Sequence, residues 1–204
     1  MRPIFAAASI IALAIAGRAL AAPPLKAGDL ALLNRVTWGA SDADAARFGA
    51  LGPDRWLERQ LHPAPGEHLP AAARAQIDTL PISHTPLSQL VAELDAQNKA
   101  ANQIADPDQK KAAQTAYQQA MTGLARQAAT REILRDLYSA DQLKEQMTWF
   151  WFNHFNVHQY KANLRVLVGD YEAAAIRPHA LGRFRDLLEA TLRHPLHWRP
   201  RSRD

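Results

Sequence analysis

The stretch from Asp141 to Val157, DQLKEQMTWFWFNHFNV, constrains the fold of this chain more than any other. Five aromatic residues fall between positions 149 and 155. Written as a helix, one face collects the residues at i, i+4, i+7 and i+11, namely Leu143, Met147, Phe150 and His154. Because Trp149 and Phe152 point elsewhere, this helix is apolar nearly all round, which predicts a buried helix at the centre of a helical domain.

The remainder of the chain is also predicted to be helical, because no stretch alternates apolar and polar residues with a period of two. Helix-start signals mark three short N-terminal helices, at Asp29, Ser41 and Pro53. A longer helical stretch begins at Thr85 and breaks where Asp106 can cap and Pro107 can start the next segment. A last helix runs from Phe184 to Leu192 with apolar residues at helical spacing. The predicted fold class is therefore all-α.

The segment from 92 to 127 has few large apolar side chains among its Ala, Gln, Asn and Lys residues. Such a segment has little to bury, which predicts a long Ala/Gln-rich helical hairpin or arm that is exposed. After it, an apolar stripe returns at Ile133, Leu134 and Leu137 and leads into the aromatic helix. We predict one multi-helix domain over residues 23–195, followed by a disordered basic tail at 196–204.

Residues 1–22 have the pattern of a secretory signal peptide. Arg2 gives the positive start, Ile4 to Ala16 is a short apolar run, and an A-x-A site ends at Ala21. The alternative, a membrane anchor, needs roughly 20 apolar residues, more than this run supplies. We therefore expect cleavage after Ala21 or Ala22, an exported protein in the periplasm or outside the cell, and no stable membrane insertion after cleavage.

The charge and cysteine content exclude several classes of function. The net charge of +4 comes from the leader and the C-terminal tail, because residues 23–195 carry nineteen basic and nineteen acidic side chains. A neutral domain has no basic face for nucleic acid, so no nucleic-acid partner is expected. The chain contains no cysteine, which excludes disulfides, thiolate zinc sites and a cysteine nucleophile.

Three segments carry a resemblance to a known family. WFWFNHFNV at 149–157, VGDYEAAAIRPHALGRFRDLLEATLRHP at 168–195 and LLNRVTWGAS at 32–41 resemble the bacterial family called Domain of Unknown Function 1800. The resemblance runs from about Leu30 to Pro195. It implies an exported, largely helical protein without an established activity, and an exported phosphatase-like or sulfatase-like protein as a partner.

The resemblance ends at Pro195. Relatives continue from there into a long second half, whereas this sequence ends with LHWRPRSRD, which resembles a frame-shifted or truncated tail. We therefore expect this chain to be an N-terminal fragment of a family protein. Any site that needs the second half would be incomplete.

His154 and His158 are the candidate metal ligands. Residues four apart on a helix place two imidazoles on one face, as in metal sites. No carboxylate accompanies them in an HExxH arrangement, and position 158 lies near the helix end. The alternative is that His154 hydrogen-bonds within an aromatic core while His158 is solvated.

Arg177 and His179 flank Pro178 at a helix break, where unpaired backbone groups and side chains converge. Arg177 could hold an anion and His179 could act as an acid or base. The alternative is that Arg177 pairs with Asp170 or Glu172 and His179 caps the junction. Polar side chains set among large apolar ones are expensive unless paired, so we predict that four of them converge in one polar pocket: Asn153, His154, Arg177 and His179.

The sequence leaves three readings of function open. One is an exported hydrolase or metal-dependent enzyme, whose His/Arg/Asn pocket the second half would complete. Another is a non-enzymatic binding or assembly module that uses residues 92–127 as its contact surface. The third is a fragment without a function of its own. Neither a substrate nor a cofactor follows from the sequence.

Overall fold

Capping residues set several of the helix boundaries. In the computed structural model, which describes residues 25–155 and 164–198, the Ser41 hydroxyl accepts a hydrogen bond from the Asp44 amide at 3.1 Å. The Asp106 carboxylate does the same for Gln109 at 2.8 Å, just before a helix that starts with Pro107. Both residues are predicted caps, and satisfying a free amide in this way stabilises the first helical turn.

The described residues form helices and turns without a strand, so the all-α prediction is confirmed. Before residue 156 the helices are α1 (Ala27–Val36), α2 (Asp42–Leu51), α3 (Pro53–Leu61), α4 (Ala71–Asp78), α5 (Leu87–Gln103), α6 (Pro107–Tyr138) and α7 (Gln142–His154). From residue 168 they are α8 (Val168–Asp170), a π-helical turn (Tyr171–Ile176), a 3₁₀ turn (Arg177–His179), α9 (Phe184–Arg193) and α10 (Pro195–Trp198). Short 3₁₀ turns lie at Pro81–Ser83 and Leu164–Val166.

Helices α5 and α6 form the predicted hairpin, but this hairpin belongs to the core. Leu94, Tyr117 and Met121 are buried in the larger of two hydrophobic clusters, together with Tyr171 and Leu187 from the C-terminal helices. The segment was expected to have little to bury because large apolar residues are rare in it. The spacing of the few large side chains decides which face is buried. Residues four apart on a helix share one face, and Tyr117 and Met121 are four apart.

Helix α7 buries polar side chains and not its aromatic ones. Gln142, Glu145 and Thr148 are its buried residues, three apart along one edge, whereas Trp149 is 50% and Phe150 47% exposed. Trp151 and Phe152 are half-buried against the larger cluster. The prediction of a buried helix is therefore wrong for Trp149 and Phe150. The polar edge that carries Glu145 lies in the interior instead of these two rings.

The end of α6 departs from prediction in the same way. Of the predicted stripe only Leu134 is buried, whereas Ile133 is 55% and Leu137 62% exposed. The buried side of this part of α6 carries Arg131 and Arg135 instead. Two arginines four residues apart lie on one helix face, so an ionic face and not an apolar one turns inward.

A smaller cluster holds the N-terminal helices, with Leu33, Phe48 and Trp56 as its buried side chains. At the other end, α10 contains the buried Leu196, so the predicted disordered tail does not begin at residue 196.

The predicted signal peptide and positions 199–204 lie outside the described residues. Over the described ranges, no helix combines the length and the apolar character needed to cross a membrane.

Two substitutions on α6 test this assignment of faces. Met121→Ala removes a fully buried side chain and should lower the free energy of unfolding by about 2–5 kcal/mol. Ile133→Ala, on the exposed side of the same helix, should change it by no more than about 0.5 kcal/mol. Chemical denaturation of both variants measures the difference. Equal losses would contradict the orientation of α6 described here.

Candidate functional site

A buried ion pair joins α7 to the turn after the π-helical segment. Glu145 is 0% exposed, and Arg177 Nε donates to its Oε2 at 3.1 Å while Arg177 Nη2 contacts Oε1. Burial raises the pKa of the Glu145 carboxyl, and the guanidinium opposes this by stabilising the carboxylate. Arg177 keeps helical backbone angles (φ −59°, ψ −40°) and Pro178 follows it within the 3₁₀ turn, so the helical backbone does not end at the residue before the proline as expected.

Two further arginines extend this pair into a network. Arg131 and Arg135 of α6 both approach Glu172, at 3.6 Å and 3.5 Å. Arg135 also pairs with Glu67, which lies 3.6 Å from Arg177 Nη1. Although partial burial acts to raise the pKa of Glu67, the guanidinium of Arg135 and those around it hold that pKa below its ordinary value. We call these six residues the ion-pair network: Glu67, Arg131, Arg135, Glu145, Glu172 and Arg177.

Two more carboxyl groups, those of Glu132 and Asp136, lie beside the network and have raised pKa values. Burial, reinforced by Glu172, raises the pKa of Glu132 to about 9. Burial, reinforced by Glu145, raises the pKa of Asp136 to about 7. Within the described residues neither Glu132 Oε2 nor Glu172 Oε1 has a hydrogen-bond partner, although Arg135 Nη1 lies 3.5 Å from Glu172 Oε1. The nearby Glu172 carboxyl is one cause of the raised pKa of Glu132, and we call Glu132 and Glu172 the carboxyl pair.

The carboxyl pair lines a pocket of about 290 Å³ between α6, α7 and α8. Its remaining lining consists of small side chains from α6, polar and aromatic ones from α7 and the start of α8: Ala125, Ala128, Ala129, Trp149, Phe152, Asn153, Val168 and Gly169. We call it the α6–α7 pocket. Most of its wall is apolar and a few polar groups converge in it, which is the usual composition of a ligand site.

Gly169 permits the close approach of α8 to α6. A Cβ at this position would lie 2.8 Å from the Cβ of Ala128, too close for any other residue without a shift of the backbone. The Gly169 carbonyl accepts a hydrogen bond from Arg131 Nη2 at 2.6 Å. This contact places Glu172, three residues later, beside the arginines of α6.

The structure places the predicted site residues apart. Arg177 lies in the ion-pair network, paired with Glu145 and not with Asp170 or Glu172. Asn153 lines the α6–α7 pocket and donates to the Trp149 carbonyl at 2.7 Å.

The two histidines lie elsewhere. His154 is exposed and its ring stacks on Phe150 at 5.9 Å, while His179 is half-buried in its turn. Neither lines the pocket. The predicted convergence of four side chains is not seen in these contacts, because His154 lies on the outer side of α7.

The predicted metal pair falls partly on His158, which lies outside the described residues. Among the residues that are described, no group of three or more His, Asp or Glu side chains is placed to hold a metal ion. The metal hypothesis therefore gains no support from the geometry.

The acidic and basic residues of α6 were not among the predicted site residues. Arg131, Glu132, Arg135 and Asp136 have the spacing of charge pairs on a solvated helix face. One signal in the sequence could have identified this face of α6 as buried. Ala128 and Leu134 lie on the same turns and are apolar. Glu172 gave no comparable signal, since its partners lie on a distant segment.

Comparison with known proteins gives one result. The family described as "Protein of unknown function (DUF1800)" matches residues 31–197 of this chain. No curated protein and no solved structure matches the chain.

The protonation of Glu132 can be tested by chemical labelling. Dicyclohexylcarbodiimide reacts with a protonated carboxyl group, whose oxygen bonds to the carbodiimide carbon while its proton moves to a nitrogen. At about pH 8 an ordinary glutamate is ionised, whereas Glu132 keeps its proton, so Glu132 should be labelled faster than the exposed Glu93. Peptide mass spectrometry locates the label, and Glu132→Gln is the control. Equal labelling of Glu93 and Glu132 would contradict the raised pKa of Glu132.

Proposed function

The chain belongs to the DUF1800 family, and we propose that it is an exported helical protein that binds a neutral, hydroxyl-bearing small molecule in its α6–α7 pocket. The family description assigns no activity, so the proposal depends on the chain's own side chains. The observation that carries it is the carboxyl pair among apolar and aromatic walls. The ligand class that fits best is a single sugar ring.

The carboxyl pair matches a hydroxyl group in both directions. Protonated Glu132 donates a hydrogen bond and the Glu172 carboxylate accepts one, while a hydroxyl group does both. Asn153 adds an amide oxygen at the same pocket. A buried site of this kind favours a ligand that satisfies donors and acceptors together, since any group left unpaired costs free energy.

The aromatic side chains give the pocket a flat apolar wall. Trp149 and Phe152 line it, and the edge of Trp38 contacts the Trp149 ring with centroids 5.5 Å apart. This contact supports the half-exposed Trp149 ring in place. A ring with one apolar face can pack on such a wall and turn its hydroxyl groups toward the carboxyl pair.

Protonation of Glu132 favours a neutral ligand over a cation. A cation would gain most from an ionised carboxylate, but the raised pKa of Glu132 makes loss of its proton unfavourable at neutral pH. Arg131 and Arg135 already neutralise Glu172. A neutral ligand avoids this cost.

A hydrolytic enzyme is the second candidate, and the carboxyl pair favours it too. A glutamic acid that keeps its proton above neutral pH, in a pocket with a second carboxyl group, has the properties of a general acid. In that case Glu132 would protonate a leaving-group oxygen. The exported phosphatase-like or sulfatase-like partner stays a prediction from the family resemblance.

Export is proposed from residues 1–22 and has a direct test. With its own leader, the protein should be recovered outside the cytoplasm with an N-terminus at Ala22 or Pro23. Replacing Ala19 and Ala21 with bulky residues should block cleavage, because the A-x-A site requires small side chains. Intact mass and N-terminal sequencing of both forms give the result. A full-length product in the cytoplasm would reject export.

Sugar binding can be measured by saturation-transfer NMR with glucose and N-acetylglucosamine as probes. The wild-type chain should transfer saturation to the ring protons of one of them. Glu132→Leu removes the proton donor at similar size, and Trp149→Ala removes the wall, so each should abolish the signal. Ile133→Ala, next to Glu132 but exposed, is the matched control and should leave it intact. A signal that survives Glu132→Leu, or none with either probe, would refute the proposal.

A further inference from the structure

A second cavity, of about 480 Å³, lies between α2, α3 and the start of α7. Its lining combines basic and polar side chains with a nearly equal number of small or apolar ones: Arg47, Leu51, Trp56, Arg59, Gln60, His62, Pro63, Ala64, His68, Ala140 and Asp141. We call it the α3 cavity. It shares no lining residue with the α6–α7 pocket.

Two buried N–H groups of this cavity's lining residues lack an acceptor. Trp56 is 1% exposed, and neither its indole Nε1 nor Nε of Arg47 has a hydrogen-bond partner among the described residues. A buried donor without an acceptor costs about 1–3 kcal/mol. Both unsatisfied atoms are donors, so the missing group is an acceptor.

One basic side chain of the cavity lining has no acidic partner among the described residues. Three of its basic side chains have acidic partners: Arg47 with Asp44 at 2.7 Å, His62 with Glu58 at 3.0 Å, and His68 with Asp141 at 2.8 Å. Arg59 makes no ion pair within the part of the chain that the structure describes. An anion in the cavity would therefore meet an uncompensated guanidinium.

The cavity wall is held in place before any ligand binds. Gln60 Nε2 donates to the Ala140 carbonyl at 2.9 Å, and its Oε1 accepts from the Leu143 amide at 3.1 Å. Asp141 accepts from Nδ1 of His68 in the tautomer that carries its proton there. A preorganised site keeps more of its binding energy, because fewer side chains have to be ordered by the ligand.

We propose that the α3 cavity binds the oxyanion group of a small ligand, a carboxylate or a phosphate. The indole N–H of Trp56 and the Nε–H of Arg47 donate to the anion, and Arg59 supplies the balancing charge. Charge-assisted hydrogen bonds of this kind are among the stronger polar contacts in proteins. This site shares no lining residue with the α6–α7 pocket, so either proposal can fail without the other.

Inorganic phosphate and acetate are the probes, and the mature chain is titrated with each at constant ionic strength. The indole N–H resonance of Trp56, assigned with Trp56→Phe, should shift with saturation for at least one probe. Arg59→Gln should weaken that binding by at least about tenfold, because it removes the uncompensated charge. Arg55→Gln is the matched control, since it removes an exposed arginine of the same helix that does not line the cavity.

Three outcomes would overturn the proposal. They are the absence of a saturable shift with both probes, unchanged affinity in Arg59→Gln, and an equal loss in Arg55→Gln, which would indicate attraction by net charge alone. Thermal melts of each variant show whether the fold is retained. Arg59 is exposed, so its substitution leaves the core unchanged and keeps the test valid if Trp56→Phe is unstable.

Discussion

The ion pair between Glu145 and Arg177 is the interaction on which the rest of this domain depends. A fully buried carboxylate is tolerated only when a cation and further hydrogen bonds replace its lost water. The pair fixes α7 against the turn that follows the π-helical segment, and through Glu67 and Arg135 it connects to α6. Most of the described helices that surround the pocket thus meet at one charged centre. Its ion pairs fix the relative orientation of these helices, which apolar packing alone would not do.

The chemistry of the pocket follows from the charge balance of this centre. Three guanidinium groups face five carboxyl groups, contributed by Glu67, Glu132, Asp136, Glu145 and Glu172. Two acids are in excess, and in a poorly solvated region the excess is relieved by binding protons. The Glu132 carboxyl, which lines the pocket, has the higher pKa of the two that are raised beside the network. Its proton donor is thus a consequence of the network and not a separate feature.

Local signals in the sequence predicted the helices, whereas the site depends on contacts between distant segments. Ser41 and Asp106 act within one helical turn, so their caps could be read directly. The aromatic run at Trp149 predicted a buried helix because it is rich in rings. The prediction did not consider that the polar residues on the edge of Glu145 could be the buried ones. Arg131 and Glu172 are far apart in sequence, so no spacing rule could have paired them. The predicted helix break at Pro178 drew attention to Arg177, but it did not identify Glu145 as the partner.

The π-helical turn at Tyr171–Ile176 has a consequence for how this protein can vary. A π turn corresponds to one extra residue in an α-helix, and each residue turns the helix by about 100°. Deleting one alanine between Glu172 and Ile176 would restore regular α-helical winding, and because the π turn absorbs its extra residue locally, Arg177 would still face Glu145. Homologous chains can therefore lose one residue in this segment and keep the charge centre, whereas the loss of a second residue would turn Arg177 away from Glu145 by about 100°.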